Sequence, residues 1–518
     1  MNEVRILVVD DEEKWRINLP ELLKMHLDPR LRVDVAENYS EALHKVKVTS
    51  YDLVSVDLDL DLLGDLKDPN PLANNNLEGM NLLKECRSSA RNRSCGLLVL
   101  SGRATPTAVY QALGSYGVNV FLDKHDFGDG WPYITAVQTA IRRARLNRAE
   151  HLVKNRYQLT FTYTQDGLSR AELVGPNHQS EAFASNFNFA SLDDLARRAD
   201  DLNLRLTSGE EGAWRLEARS IGAAVYQTVE SQQKILSLLS KARAFAASQH
   251  ESSLSLQFTG PPSCLSVPFE LMRDEDDYFA FSNLLTRRLS QGGAPFTTKS
   301  DPFSSFIRKH LEKNEPLRIL IAGADTDGSV PAVGDEVRHL ANSIRSDLRI
   351  LGIPNEITVL DDDVSYLRLS QALRDGQHIF HFAGHGSFDE SLAERSPLIL
   401  KDRDLTAADL QALTQGTELQ FVFLSCCLGA RTAKHTGRGD FHGFLHALSQ
   451  ADVPAALAYR WEVNDASALK FASDFYSFLW LNFCLGQALL SSRRKIILEK
   501  DGRDDDTWAA PVLLCQAL

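Results

Sequence analysis

The stretches HIFHFAGHGSF (residues 378–388) and LQFVFLSCCLGA (residues 419–430) decide the fold of the C-terminal half of this chain. Each begins with a short apolar run rich in β-branched and aromatic residues, and each then breaks into small residues beside a His or a Cys. Two buried parallel strands would bring these groups to the carboxyl edge of one sheet, where catalytic groups collect in open α/β folds. A His and a Cys that meet there have the parts for an activated thiolate.

Strand–helix alternation extends outward from these two stretches over residues 316–518 and predicts an α/β domain with a mainly parallel sheet. The preceding residues, 157–315, have an α+β pattern, and a Gly- and Pro-containing segment at 292–302 marks the break between the two regions. The elements predicted before the break are strands at 157–164, 170–175 and 214–221, and helices at 191–204 and 223–248.

The N-terminal 145 residues repeat a strand–helix unit five times, which predicts a (βα)5 fold with a parallel sheet and helices on both faces. Asp10 and Asp11 close the first strand and Asp57 closes the third, so three carboxylates should converge at one edge. Such a cluster repels itself unless a hard divalent cation binds it, and Mg²⁺ favours this oxygen-rich site. Ser101 and Lys124 close strands four and five. Together these groups suit phosphoryl transfer onto a carboxylate.

This pattern resembles a response-regulator receiver domain spanning residues 1–145. The resemblance implies Asp10, Asp11 and Asp57 as metal ligands, Asp57 as phosphoacceptor, Ser101 as switch hydroxyl, Phe121 as switch aromatic and Lys124 as the strand-five lysine. It further implies Mg²⁺ as cofactor and a sensor histidine kinase as phosphodonor, and it allows a homodimer through the receiver. A helical linker is predicted at residues 146–156.

Two features depart from the receiver pattern. His125 follows Lys124 where the family usually has Pro, and Gly79 is reached only after a longer acidic loop. The acidic residues in this loop are Asp59, Asp61, Asp65 and Asp68, and they favour a solvated insertion over a second metal site. The alternative is a receiver-shaped domain that takes no phosphate, against which the presence of Asp57 and Lys124 argues.

Composition excludes several classes of function. The formal net charge of −13 does not provide the basic surface that a nucleic-acid binder needs. The seven cysteines lack a CxxC pattern, which argues against a disulfide framework or zinc ribbon and fits a reducing cytoplasm. The most apolar late stretch, residues 475–490, contains Ser477, Asn482 and Gln487 and therefore predicts a buried helix and not a membrane span.

Three histidines and two cysteines compete for the thiolate pair. His378 and His381 fall within an apolar strand, whereas His385 is flanked by glycines that leave room for a substrate backbone. Cys426 and Cys427 point to opposite sides if the strand persists. Cys427 lies just past the apolar run, so the residues alone favour it but leave Cys426 open.

A second resemblance covers residues from about 160 to 518 and is to CHAT proteins, the bacterial branch of the caspase and separase clan. The family's HxxGHG corresponds to HFAGHG (residues 381–386) and its LSACxTG to LSCCLGA (residues 424–430), while WEVND (residues 461–465) and LSVPFELM (residues 265–272) match flanking segments. The departures are Leu428, Gly429 and Ala430, which border the cleft.

This resemblance implies a caspase-like fold in which His385 is the general base and Cys427 the nucleophile. The backbone N–H groups of Gly386 and Cys427 would stabilise the oxyanion, and no cofactor is expected at this site. Asp325, which ends the domain's first strand, is further expected to line a pocket that selects a basic residue of the substrate.

The sequence therefore predicts a cytoplasmic cysteine endopeptidase controlled by phosphorylation of Asp57. Its partners would be a sensor histidine kinase and a protein substrate encoded nearby. Binding to a nucleic acid or to a membrane is not expected. The alternative is a catalytically inactive CHAT scaffold whose partner binding the receiver switches. A third hypothesis is constitutive activity with the receiver as a dimerisation element.

Overall fold

A computed structural model describes residues 4–60, 78–102, 106–164, 167–184, 194–199, 202, 211–248, 254–262, 267–289, 302–324, 333–361, 364–384, 398–426, 443–461, 463–499 and 506–516. The predicted site residues Asp325, His385, Gly386 and Cys427 lie outside the described residues, as do Asp61, Asp65 and Asp68 of the acidic loop. The chain forms two compact units. The first comprises Met1–Ala149, Ile344–Pro354 and Trp480–Asn482, and the second comprises Glu150–Ser343, Asn355–Leu479 and Phe483–Leu518.

The first unit has a five-stranded parallel sheet with the strand order β2-β1-β3-β4-β5. Its elements are β1 (Arg5–Val9), α1 (Glu13–His26), β2 (Arg32–Ala36), α2 (Tyr39–Val48), β3 (Leu53–Val56), α3 (Glu78–Ser88), β4 (Gly96–Ser101), α4 (Pro106–Ser115), β5 (Val120–Asp123) and α5 (Trp131–Lys154). The predicted (βα)5 fold is confirmed.

The central strands of this sheet are apolar because both faces are covered. All four residues of β3 and all six residues of β4 are buried, as expected for parallel strands between two layers of helices. Helix α5 continues past the sheet to Lys154, and its buried residues, among them Tyr133, Val137, Ala140 and Ala144, recur at helical spacing.

The second unit is built on one sheet of eleven strands, in the order β12-β11-β13-β16-β17-β18-β10-β9-β6-β7-β8. The remaining elements are, in chain order, β6 (Tyr157–Thr164), β7 (Gly167–Gly175), β8 (His178–Phe183), α6 (Glu211–Glu230), α7 (Gln233–Ser248), β9 (Leu254–Gly260), β10 (Leu284–Leu289), α8 (Pro302–Lys313), β11 (Leu317–Ala324), α9 (Val333–Ile350), β12 (Asn355–Leu360), α10 (Tyr366–Arg374), β13 (Ile379–Gly384), β14 (Leu398–Ile399), β15 (Asp404–Leu405), α11 (Ala407–Thr414), β16 (Phe421–Cys426), α12 (Phe444–Gln450), β17 (Ala455–Tyr459), α13 (Asp465–Asn482), α14 (Leu485–Leu498) and β18 (Pro511–Cys515). Strands β11, β12, β13, β16 and β17 are mutually parallel, whereas β18 runs antiparallel to β17.

The strand predicted at 214–221 is wrong, because these residues lie in α6. The run WRLEARSI alternates apolar and polar residues, which suggested a period of two. In the structure Trp214, Ala218, Ile221 and Val225 are buried while Leu216 is 72% exposed. This spacing of three to four residues belongs to one face of a helix.

The two central strands β13 and β16 pack on both faces. Phe380, Phe382, Val422 and Leu424 contribute to a large apolar cluster that also includes residues of α10, α11 and α12. The alternate residues form an aromatic layer with α13, in which the Phe423 ring lies 5.6 Å from that of Phe475. Burial on both faces explains why these strands read as continuous apolar runs.

Candidate functional site

Three carboxylates converge at the carboxyl edge of the first unit's sheet. One ligand oxygen from each of Asp10, Asp11 and Asp57 lies within 4.8 Å of the others. The Lys124 Nζ lies 2.6 Å from the Asp57 Oδ2 and 2.9 Å from the Asp10 Oδ2. The switch-point position of the acids after β1 and β3 brings them together, as the sequence predicted.

Burial dominates the electrostatics of this cluster. Asp10 and Asp57 are buried, and burial, with a further contribution from the negative charge of Asp57, raises the pKa of Asp10 to about 7 although Lys124 opposes this. Burial disfavours the charge on Lys124, but the two carboxylates outweigh it and raise its pKa above the usual value. Two acids that share one ammonium ion and lie in a buried pocket are a donor set that fits a hard divalent cation.

Sequence reasoning missed two residues around this cluster, Glu12 and Arg16. The Glu12 Oε1 lies 3.2 Å from the Lys124 Nζ, so the lysine contacts a third acid. The Arg16 Nη1 donates to the backbone carbonyls of Asp10 (2.9 Å) and Asp11 (2.6 Å). The run DDEEKWR (residues 10–16) contains both residues four positions apart, and a helix beginning after Asp11 would have placed Arg16 back over the strand end.

Gly79 closes the long acidic loop at the phosphoacceptor strand. Its N–H donates to the Leu58 carbonyl (3.1 Å), and a Cβ at this position would lie 2.2 Å from the Asp57 carbonyl oxygen. Only glycine fits there without a shift of the backbone. The greater length of the loop therefore leaves the close contact between α3 and the end of β3 intact.

The turn after Lys124 is a 3₁₀ helix, Lys124–Asp126, and it has a local cap where the receiver family usually has Pro. The Asp123 carboxylate accepts from the His125 N–H (2.9 Å) and lies 2.7 Å from the His125 Nδ1. These contacts keep Lys124 at the end of β5 and directed into the acid cluster.

The two predicted switch residues lie on the strands next to the acids. Ser101 is the last residue of β4 and is fully buried. Phe121 lies in β5 beside Val99 and packs half-buried against the apolar core of this unit.

In the second unit, three strand ends are aligned at one edge. Ala324 of β11 pairs with Gly384 of β13, and Gly384 pairs with Cys426 of β16. The next residues in the chain after these three are Asp325, His385 and Cys427, which lie outside the described residues. The three predicted residues thus come, in sequence, directly after one register row of parallel strands. Adjacent strands of a sheet lie about 4.8 Å apart.

Two of the three candidate histidines are placed away from this edge. His378 precedes β13 at the opposite end of the strand, where its Nδ1 accepts from the Arg318 N–H (3.0 Å). His381 is fully buried, with its ring 4.9 Å from that of Phe423 and its Nδ1 3.4 Å from the Tyr476 hydroxyl. Burial lowers the pKa of His378 to about 4 and that of His381 to about 3, so both are neutral at physiological pH.

Cys426 faces the apolar core. It is 2% exposed and belongs to the same cluster as Val422 and Leu424, which lie four and two positions before it in β16. This is the alternation of a regular strand. The thiol of Cys426 is therefore a core group and is not presented at the edge.

Gly384 is required by both conformation and space. Its φ of 153° is one that L side chains rarely adopt, and a Cβ would lie 2.6 Å from the Ala324 carbonyl oxygen. A glycine here lets β13 approach β11 closely at the point where the chain leaves the sheet.

The CHAT domain model matches residues 218–516 of the chain. The chain belongs to the CHAT family. Within the CHAT region, the tryptophan of the predicted flanking segment, Trp461, is fully buried, and Asn464 caps α13 by accepting from the Ser467 N–H (2.9 Å).

No curated protein matches the chain. Among the described residues, no helix is long and apolar enough to cross a membrane.

Solved structures similar to this chain include several receiver proteins. A CheY-like response regulator receiver domain protein from Methanospirillum hungatei is 16% identical, with 28% of this chain and 99% of that chain covered and a TM-score of 0.23. The chemotaxis protein CheY4 of Vibrio cholerae is 18% identical over 27% of this chain and 98% of its own (TM-score 0.22). The response regulator TrrA of Thermotoga maritima in complex with Mg²⁺ and BeF is 25% identical over 26% and 96% (TM-score 0.19).

The strand order of the first unit, 2-1-3-4-5, is that of receiver domains. With its aspartates and lysine gathered at the carboxyl edge, this unit has the receiver fold. The protein is thus a fusion of a receiver and a CHAT domain.

Proposed function

We propose that this CHAT protein is a cysteine endopeptidase with His385 as general base and Cys427 as nucleophile. The observation that carries the proposal is the register row of Ala324, Gly384 and Cys426. Gly384 and Cys426 end adjacent strands, and His385 and Cys427 are the next residues in the chain. The placement of His378, His381 and Cys426 in the interior or at the opposite edge supports the choice of His385 and Cys427 over them.

In this mechanism His385 takes the thiol proton of Cys427, and the thiolate attacks the carbonyl carbon of the scissile peptide bond. The N–H groups of Gly386 and Cys427 stabilise the oxyanion. His385 returns the proton to the leaving amine, and a thioester forms. Water, activated by the same His385, then hydrolyses the thioester and regenerates the thiol.

We further propose that phosphorylation of Asp57 controls the activity, with a sensor histidine kinase as donor and a protein encoded nearby as substrate. The convergence of Asp10, Asp11 and Asp57 around Lys124 supports this. The three carboxylates would hold Mg²⁺, which would neutralise the incoming phosphoryl group. Lys124 would then pair with the phosphate on Asp57, and Ser101 and Phe121 would respond to it.

A thiol-directed activity probe tests both proposals on the purified full-length protein, with and without acetyl phosphate and Mg²⁺. We expect labelling that is abolished in Cys427→Ala, retained in the matched control Cys426→Ala, and changed by phosphodonor in the wild type but not in Asp57→Asn. Labelling that is absent in both states, or unaffected by Cys427→Ala, would support an inactive scaffold instead. Labelling that is identical with and without phosphodonor would reject only the control by the receiver.

A further inference from the structure

Two acidic residues lie at the same edge of the CHAT sheet as the proposed catalytic pair. Glu336 is in the first turn of α9, which follows β11, and Asp465 is the first residue of α13, which follows β17. Because β11, β13, β16 and β17 are parallel, both helices begin at the carboxyl edge.

Glu336 is an unusual carboxylate, since it is buried without a polar partner among the described residues. It is only 7% exposed and makes no hydrogen bond or ion pair with the described residues. Its neighbour in sequence, Asp335, shows the ordinary arrangement: it is exposed and lies 2.8 Å from Arg338, which also pairs with Asp361. The nearest arginine in sequence is therefore occupied by other acids and does not neutralise Glu336.

The surroundings of Glu336 are negative. Burial, together with the negative charge of Asp465, raises the pKa of Glu336 to about 7. Asp465 itself is exposed to solvent. Asp465 is thus accessible, and its charge acts on Glu336, which lies beneath the surface. A buried acid without a partner is costly, and a cation that reached it would recover this cost.

We propose that Glu336, with Asp465 beside it, binds a Lys or Arg side chain of the protein substrate at this edge. The inference rests on the proposed protease function and names the substrate class of that same site. A long basic side chain fits because its apolar stem can be buried while its charged head reaches the acid. A divalent cation fits less well, since Mg²⁺ and Ca²⁺ take more oxygen ligands than this pair offers.

The test uses the full-length protein and pairs of fluorogenic peptides that differ at one position, either Lys against norleucine or Arg against citrulline. We expect wild-type kcat/KM to favour the basic member at one position by about a hundredfold, and Glu336→Gln to reduce this ratio by about tenfold or more. Asp335→Asn is the matched control and should leave the ratio unchanged. Because the ratio is taken within one variant, a partial loss of folded protein cancels.

The outcomes separate the two proposals. A wild-type enzyme without basic preference, or a preference that survives Glu336→Gln, overturns the assignment of Glu336 while leaving the protease intact. A Glu336→Gln protein that the thiol probe still labels at Cys427, but that no longer distinguishes Lys from norleucine, supports it. An absence of any cleavage or labelling that depends on Cys427 overturns the protease function and this inference together.

Discussion

The buried carboxylate of Glu336, with its raised pKa, predicts a pH-dependent gain in stability when this residue is replaced by Gln. The pKa of this group is about 7 in the folded protein against an ordinary value of 4.5. The folded state therefore holds more protons than the unfolded state between these two values. Stability must then fall as the pH rises from about 4.5 to about 7, because ionisation is easier in the unfolded chain.

The size of the effect follows from the same difference. Each unit of pKa difference corresponds to about 1.4 kcal/mol, so the wild type should lose up to about 3 kcal/mol between acidic and neutral pH through Glu336 alone. Since the side chain is only 7% exposed, solvent screening removes little of this. Glutamine has nearly the same shape and cannot ionise. Glu336→Gln should therefore match the wild type near pH 5 and be more stable above pH 7.

Thermal unfolding at a series of pH values from 5 to 8.5 measures this difference. For a domain of this size, about 3 kcal/mol corresponds to a rise of several degrees in the Tm of Glu336→Gln over the wild type at pH 8.5. Comparing the two proteins at each pH removes the contribution of every other titrating group. Asp335→Asn, which changes an exposed acid that is already paired with Arg338, should show no such trend.

Two results would refute the reasoning. A Tm difference between Glu336→Gln and the wild type that is the same at pH 5 and pH 8.5 would mean that Glu336 ionises at its ordinary pKa. A lower Tm for Glu336→Gln at pH 8.5 would mean that the ionised carboxylate has a stabilising partner.

Three further predictions concern backbone fit and helix phase. In urea denaturation, Gly384→Ala should lower the free energy of unfolding by at least about 2 kcal/mol more than Gly416→Ala does. Gly416 is the control because its φ of 72° is also positive but a Cβ there would meet nothing within 4 Å. Equal losses for the two variants would contradict the clash at Gly384. Gly79→Ala should slow phosphorylation by acetyl phosphate at least about tenfold by displacing the phosphoacceptor strand, as followed on phosphate-affinity gels; an unchanged rate would count against it. In thermal unfolding, Leu216→Ser should leave the stability unchanged, while Ile221→Ser should lower it by more than about 2 kcal/mol. The reverse order would contradict the helical placement of this segment.

Much of the architecture could be predicted because it depends on local periodicity. Five strand–helix repeats with buried strands lead to a parallel sheet, and topology then fixes which strand ends meet, so Asp10, Asp57 and Lys124 were expected together. The same logic failed at residues 214–221, where apolar and polar residues alternate over a short run. Two periods fit such a run equally well, and only packing against the rest of the unit shows that Leu216 faces solvent.

The sequence by itself determined the receiver and CHAT motifs, the parallel sheets and the acidic cluster, because these follow from residue type, spacing and the direction of parallel strands. Only the tertiary structure decided that Cys426 faces the core, that His381 is sealed in an aromatic layer, and that Glu336 is buried while Asp335 is exposed. Neighbouring residues of the same type are equivalent in a one-dimensional pattern. Their burial and partners depend on strand register and on helices distant in sequence, which exist only once the chain has folded.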